Sequence, residues 1–221
     1  MTLWFATGNA HKKSELAAIL ATHGCGDELR IPRDAGLDFD PDETENSFHG
    51  NALLKAKALY GLLLEQGPSL FQEGDLVIAD DSGICVDALG GRPGIYSARY
   101  TGTPVPDGRK LKPAEQNALL IGELGDSPRR SARFVCAMVL LLGPDRFFVS
   151  QETLEGEIVK SGEPARGTGG FGYDPILFIP GLGRTVAELS DDEKNRISHR
   201  GKAGMQIAKV LKAVHAGGLP L

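Results

Sequence analysis

Cysteine is scarce in this chain, with three residues among 221, Cys25, Cys85 and Cys136. They are odd in number, widely separated and form no CxxC pair, so neither a disulfide framework nor a zinc ribbon is expected. We expect three reduced thiols that behave as small hydrophobic groups.

Long hydrophobic runs are also missing. The longest apolar stretch extends from Phe134 to Leu142, far short of the roughly 20 residues that cross a bilayer. The N-terminal segment carries its charges after a short apolar run, whereas a secretory signal begins with basic residues. We therefore expect a cytoplasmic protein with no transmembrane helix and no membrane partner.

Positive charge is not in excess, since 24 Lys and Arg stand against 29 Asp and Glu, a net charge of -5. This balance argues against a broad nucleic-acid surface. Apolar residues at 41% and charged residues at 24% are typical of a globular protein. The length allows one compact unit.

The hydrophobic periodicity predicts strands and helices that intermix along the chain, hence an α/β fold on a mixed sheet. Predicted strands are Thr2–Ala6, Leu76–Asp80, Ile84–Leu89, Ala132–Leu142, Arg146–Val159 and Leu177–Pro180. Predicted helices are Ala10–Gly24, Ser47–Gly67, Pro113–Leu124 and Gly201–Gly218. Asn9 is placed to cap the first helix and Ser47 to open the second, and Ser190 with Glu193 fits a capping box. Gly143–Asp145 is predicted to turn a hairpin, and Thr101–Lys112 to form an exposed loop.

Two adjacent carboxylates, Asp80 and Asp81, end an apolar run and are followed by Ser82 and Gly83. Because neighbouring carboxylates repel each other, a fold keeps such a pair only where solvent, donors or a cation offset the repulsion. We expect a turn between two short strands here, and a cation is the functional alternative.

Two further segments could serve a phosphate and a metal. In TGNAHK, a glycine and an asparagine precede a helix, so free N–H groups and Lys12 could hold a phosphate. A simple capped helix with a solvated lysine is the other interpretation. The acidic DETENSF stretch could supply a Mg²⁺ ligand only if the fold brings one of its carboxylates beside Asp80 or Asp81. The other interpretation is that its negative charges complement the dipole of the helix that follows.

The glycine-rich GTGGFG at Gly167–Gly172 matches G-x-G-x-x-G, but it lacks the preceding strand and following helix of a dinucleotide site. Close backbone approach to a ligand, with Phe171 or Tyr173 stacking on a base, is one interpretation and a plain turn is the other. A local reversal of charge follows at Lys194, Arg196, His199, Arg200 and Lys202. That segment suits a carbonyl-bearing or phosphorylated ligand, or is a solvated helix end.

Five segments in order, TGNAHK, IADDSG, LGGRPGIYSARY, PARGTGGFGYDP and ELSDDEKNRISHRGKA, closely resemble the inosine triphosphate pyrophosphatase family. These enzymes are also called dITP/XTP or non-canonical purine NTP pyrophosphatases. The resemblance implies one elongated domain over residues 1–221, with a long central mixed sheet, two lobes that flank an active-site cleft, and a homodimer. It also implies Mg²⁺-dependent hydrolysis of ITP, dITP and XTP to the monophosphate and pyrophosphate.

The resemblance also assigns roles. Asp81 corresponds to the general base and, with Glu43, to the Mg²⁺ ligands, while Asn51 and Lys55 follow at the family's spacing. The substrate contacts correspond to Thr7, Gly8, Asn9, Ala10, His11 and Lys12 for the triphosphate, to Ser82, and to Phe171, Gly172, Tyr173, Asp174, Lys194, His199 and Arg200 for the nucleotide.

Base choice would follow from hydrogen bonding, because inosine and xanthosine carry an acceptor oxygen at position 6 where adenosine carries an amino donor. Arg200 or a backbone N–H would donate to that oxygen. Two alternatives stay open. One is a Mg²⁺-dependent phosphohydrolase with another base preference or attack at the γ-phosphate, and the other is a nucleotide-binding sensor without turnover.

Overall fold

The structure is a computed structural model, and it describes residues 1–102, 110–160, 162 and 166–218. Most of the loop predicted at Thr101–Lys112 lies outside the described residues. Within the described ranges, no helix is long and apolar enough to cross a membrane. All three cysteines are free, with Cys25 and Cys136 buried.

Seven strands form a mixed sheet, which confirms the predicted fold class. They are β1 (Thr2–Phe5), β2 (Glu28–Arg30), β3 (Leu76–Val86), β4 (Ser131–Gly143), β5 (Arg146–Ile158), β6 (Leu177–Ile179) and β7 (Arg184–Thr185), hydrogen-bonded in the order β2-β1-β3-β4-β5-β6-β7. β1 runs parallel to β2 and β3, whereas β6 runs antiparallel to β5 and β7. β4 and β5 are joined by two residues, a link that only an antiparallel pair allows.

Five α-helices accompany the sheet in the described ranges: α1 (Ala10–Thr22), α2 (Phe48–Gln66), α3 (Pro113–Leu124), α4 (Asp191–Ile197) and α5 (His199–His215). The predicted caps are confirmed. The Asn9 side chain accepts from the backbone N–H groups of His11 and Lys12, and the Ser47 hydroxyl accepts from that of Gly50. Ser190 and Glu193 form the predicted capping box.

The chain divides into two compact units. Unit 1 comprises Met1–Asp81, Cys136–Glu152 and Arg200–Leu221, and unit 2 comprises Ser82–Val135 and Thr153–His199. In unit 1, β1 and the start of β3 are buried on both faces, because their alternate residues pack into two separate cores. Leu76 and Ile78 pack in the core that includes α1 and α5, whereas Val77 and Ala79 pack in the core that includes α2.

The turn predicted between two short strands at Asp80–Gly83 is wrong. One uninterrupted strand, β3, runs through both carboxylates. Gly83 marks a close approach rather than a turn, since a Cβ there would lie 2.4 Å from the carbonyl oxygen of Gly94 and from the hydroxyl of Ser97.

Candidate active site

The alternation of β3 places its two carboxylates on opposite faces. Asp80 continues the series Leu76 and Ile78 toward α1 and α5, and Asp81 continues the series Val77 and Ala79 toward α2. Both side chains are buried. Adjacent carboxylates that would repel each other in a turn are thereby given separate partners.

Asp80 is held by two cations. Lys12 Nζ lies 2.9 Å from its Oδ1, and Arg200 Nη2 lies 3.0 Å from its Oδ2. Burial alone would raise the pKa of Asp80. The charges of Lys12 and Arg200 outweigh this effect and hold the pKa well below its usual range. Asp80 therefore stays ionised near neutral pH and orders the residues around it.

Two further residues support this cluster. Glu15 accepts from Arg200 Nη1 at 2.7 Å and so fixes the guanidinium from α1. Cys136 Sγ lies 3.9 Å from Asp80 Oδ2, and burial, followed by the charge of Asp80, raises the pKa of this thiol to about 12. Cys136 is thus a neutral donor, as expected of a buried cysteine.

Asp81 has a different environment, formed by α2. Asn51 Nδ2 donates to its Oδ2 at 3.2 Å, and Lys55 Nζ lies 3.3 Å from its Oδ1. Burial raises the pKa of Asp81 above its ordinary value; the charge of Lys55 opposes this shift and that of Glu43 adds to it. Environments that push the pKa values of two carboxyl groups apart mark distinct chemical roles.

Glu43 meets Asp81 at the same ammonium group, because Lys55 Nζ also lies 2.6 Å from Glu43 Oε1. Asn51 holds the acidic segment beside α2, since its Oδ1 accepts from the backbone N–H of Glu45 at 3.0 Å. The sequence alone left open whether a carboxylate of this segment would approach Asp81. The structure brings both carboxylates to one cation.

The donor set of this cluster fits Mg²⁺, which takes hard oxygen ligands and usually one or two protein carboxylates together with substrate phosphates. Glu43 and Asp81 already orient carboxylate oxygens toward one positive charge, that of Lys55. No group of three or more His, Cys, Asp or Glu side chains suited to a metal occurs among the described residues. A Mg²⁺ ion held by these two carboxylates would complete its coordination with water and substrate oxygens.

The predicted phosphate loop precedes α1 in the same unit. Gly8, Ala10 and His11 are exposed, while Lys12 turns toward Asp80. The Thr7 hydroxyl accepts from the backbone N–H of Asn9 at 3.1 Å. Asn9 Oδ1 already accepts from the backbone N–H groups of His11 and Lys12 at 2.9 and 3.3 Å, so these groups are engaged in the helix cap and are not the free donors that the sequence predicted. The assignment of the loop to a triphosphate stays a prediction.

In unit 2, hydrogen bonds and an ion pair order the predicted base-binding segment, Phe171–Asp174. Asp174 Oδ2 accepts from the Phe171 backbone N–H at 2.8 Å and lies 2.9 Å from Lys194 Nζ. The same ammonium lies 4.9 Å from the ring centroid of Phe171. Tyr173 donates its hydroxyl to the Ser97 carbonyl at 2.9 Å.

His199 and Ser82 occupy less informative positions. The His199 ring stacks on Phe134 with centroids 4.9 Å apart, and Ser82 is a half-buried residue of β3. Their contact with substrate stays a prediction.

Sequence reasoning missed several polar residues that organise these segments: Glu15, Ser97, Gln116 and Asn117. Only Glu15 carried a signal, because it follows Lys12 by three residues and so shares a face of α1. Gln116 and Asn117 donate to backbone carbonyls distant in the sequence, and the Ser97 hydroxyl accepts from the backbone N–H of Ile84, contacts that local patterns do not indicate.

Known proteins resemble this chain over nearly its whole length. The sequence model of the Ham1 family matches residues 3–210. A dITP/XTP pyrophosphatase of Treponema denticola is 43% identical over 96% of this chain and 99% of its own length, and one of Chlorobaculum tepidum is 42% identical over 95% and 92%. The solved structure of the Staphylococcus aureus Ham1 protein superposes with a TM-score of 0.77 at 32% identity, covering 97% of this chain and all of that one.

These names agree with the family resemblance inferred from the five sequence segments, and the resemblance is confirmed. Both the sequence and the fold match over nearly the whole length. The chain belongs to the Ham1 family.

Proposed function

We propose that this protein hydrolyses ITP, dITP and XTP to the nucleoside monophosphate and pyrophosphate. The observation that carries the proposal is the difference in surroundings between two neighbouring carboxylates of β3: Asp80 is paired with Lys12 and Arg200, while Asp81 shares one cation with Glu43. Relatives named dITP/XTP pyrophosphatase support the substrate class.

In the proposed reaction, Asp81 accepts a proton from a water molecule whose oxygen attacks the α-phosphorus. The bond from that phosphorus to the bridging oxygen breaks, and pyrophosphate leaves. Asn51 and Lys55 orient the Asp81 carboxylate for this proton transfer, as their contacts with its two oxygens indicate. Without a metal ion, burial raises the pKa of Asp81 above its ordinary value; a bound cation would favour the ionised, proton-accepting form of the carboxylate.

Glu43 and Asp81 would hold Mg²⁺. The bound ion would supply positive charge at the phosphate oxygens. The loop Thr7–Lys12, with the Lys12 ammonium, would add positive potential at the phosphate oxygens. Most of the proposed catalysis therefore rests on positioning and electrostatics.

The purine base is proposed to contact Phe171–Asp174, with Lys194, His199 and Arg200 as additional contacts. A donor facing position 6, either Arg200 or a backbone N–H, would donate to the oxygen of inosine or xanthosine. It would disfavour adenine, whose amino group leaves two donors facing each other. We also propose, from the family resemblance, a single catalytic domain that works as a cytoplasmic homodimer. Light scattering of the purified protein tests the dimer.

The test of the activity is incubation of the purified protein with Mg²⁺ and ITP, with ATP and GTP in parallel, followed by phosphorus NMR. Stoichiometric IMP and pyrophosphate from ITP, with little product from ATP or GTP, is the expected result. Orthophosphate with IDP would place the attack at the γ-phosphorus and refute the mechanism. Binding of ITP without turnover would indicate a nucleotide sensor.

A further inference from the structure

Helix α3 fixes the predicted base-binding segment through a residue that carries no assigned role. Asn117 lies on α3 and is 7% exposed. Its Nδ2 donates to the carbonyl oxygen of Gly172 at 3.1 Å. Gly172 has a φ of +62°, so the direction of its carbonyl depends on a left-handed backbone that this hydrogen bond holds in place.

The orientation of the Asn117 amide follows from chemistry. Because a backbone carbonyl only accepts, the NH₂ side of the amide must face Gly172 and the oxygen must face away. That oxygen, Oδ1, is buried and accepts no hydrogen bond from any residue in the described part of the chain. Burying an amide oxygen without a hydrogen bond costs stability. Asn117 is therefore a poor choice for stability alone, and its presence points to a role for its NH₂ donor.

The rest of α3 makes Asn117 a rigid support. Leu120 and Leu124 follow it at helical spacing and are buried in the core of unit 2. The neighbouring Gln116 donates to the carbonyls of Ala98 and Tyr100 at 3.2 and 3.3 Å. The helix is thus anchored on the core and on the Ala98–Tyr100 backbone, while Asn117 reaches the segment Phe171–Asp174.

We propose that Asn117 is a positioning residue for the purine base. By fixing the Gly172 carbonyl it sets the directions of Phe171 and Tyr173, between which Gly172 lies, and so preorganises the segment that contacts the base. This inference rests on the proposed function, because it assumes that the segment binds a purine.

The test compares full-length wild type with Asn117→Asp, which keeps the shape but replaces the NH₂ donor, and with Asn117→Ala, which removes the donor without adding a buried charge. Calorimetry measures the Kd for IMP, and steady-state kinetics measure KM and kcat for ITP. We expect both variants to raise Kd and KM about tenfold, the effect of one hydrogen bond, with kcat within about twofold, since binding common to ground and transition states is lost.

Tyr100→Phe is the matched control. The substitution removes a buried hydroxyl that pairs with Glu123, a residue that lies on α3 like Asn117. It should lower the melting temperature while leaving Kd and KM unchanged. Kd and KM within about twofold of wild type in both Asn117 variants would overturn the inference, and so would a wild type that binds no IMP. A wild type that binds IMP but does not hydrolyse ITP refutes the proposed function alone, and the calorimetric comparison still decides the role of Asn117.

Discussion

Asp80 and Asp81 are neighbours in the chain but lie on opposite faces of β3, one facing Lys12 and Arg200 and the other facing Asn51 and Lys55. The two carboxylates therefore experience opposite influences: cations hold the pKa of Asp80 down, whereas burial raises that of Asp81. One strand thus places two neighbouring carboxylates in opposite electrostatic environments.

The Asp80–Arg200 pair should behave as a coupled unit. Removing one partner leaves a buried charge uncompensated, so Arg200→Met is expected to lower the free energy of unfolding by about 3–5 kcal/mol. The double variant Asp80→Asn with Arg200→Met should lose less than the sum of the two single changes. Urea unfolding of all four proteins measures this, and simple additivity would contradict the coupling.

The contribution of Asp80 to stability should depend on pH with a defined sign. The pKa of Asp80 is lower in the folded than in the unfolded state, so the ionised carboxylate stabilises the fold. This stabilisation is complete above the unfolded-state pKa of about 3.9 and is lost as the pH falls toward the folded-state pKa. The stability difference between wild type and Asp80→Asn should be constant from pH 7 to about 5 and shrink below about 4. A difference that widened in acid would contradict the assignment.

Lys55 should act as the counter-ion of Glu43 and Asp81 when no metal is bound. Lys55→Met leaves these carboxylates without their shared ammonium, so the metal-free protein should lose about 3 kcal/mol of stability. Added Mg²⁺ should raise the melting temperature more in this variant than in wild type, because the ion replaces the missing charge.

Lys57→Met is the matched control for Lys55→Met. Lys57 lies on the same helix, and its Nζ is 4.0 Å from the exposed Asp145, so little change is expected. The absence of any Mg²⁺ effect in both wild type and Lys55→Met would argue against a metal at Glu43 and Asp81.

The close approach at Gly83 should not tolerate a methyl group. Gly83→Ala forces Cβ against the Gly94 carbonyl and the Ser97 hydroxyl, both 2.4 Å away, and should cost about 1–3 kcal/mol. Gly61→Ala, within α2 and with nothing within 4 Å of the added Cβ, should instead stabilise by up to about 1 kcal/mol. Thermal unfolding compares the two, and equal effects would refute the steric argument.

Much of the fold could be predicted because its signals are local. The caps at Asn9, Ser47 and Ser190 and the buried periodicity of the helices lie within a few residues of one another. The short strands β2 and β7, of three and two residues, carry too few residues to show a pattern.

The carboxylate site shows what local patterns do not contain. Aspartate, serine and glycine are depleted in strands or typical of turns, so Asp80–Gly83 was predicted as a turn. Tertiary contacts overrode that preference: Lys12 and Arg200 are 68 and 120 residues away from Asp80. The meeting of Glu43 with Asp81 depends equally on long-range packing, and only the family resemblance anticipated it.

The most direct test of the central claim is the rate of pyrophosphate release from ITP by Asp81→Asn, beside wild type and Asp87→Asn, an exposed aspartate that pairs with Arg133. We predict that Asp81→Asn still folds, with a melting temperature lowered by the lost pairing with Lys55. Its turnover should fall at least about 100-fold, as expected on removal of a general base, while Asp87→Asn retains turnover. Near-normal turnover by the folded Asp81→Asn protein would contradict the account.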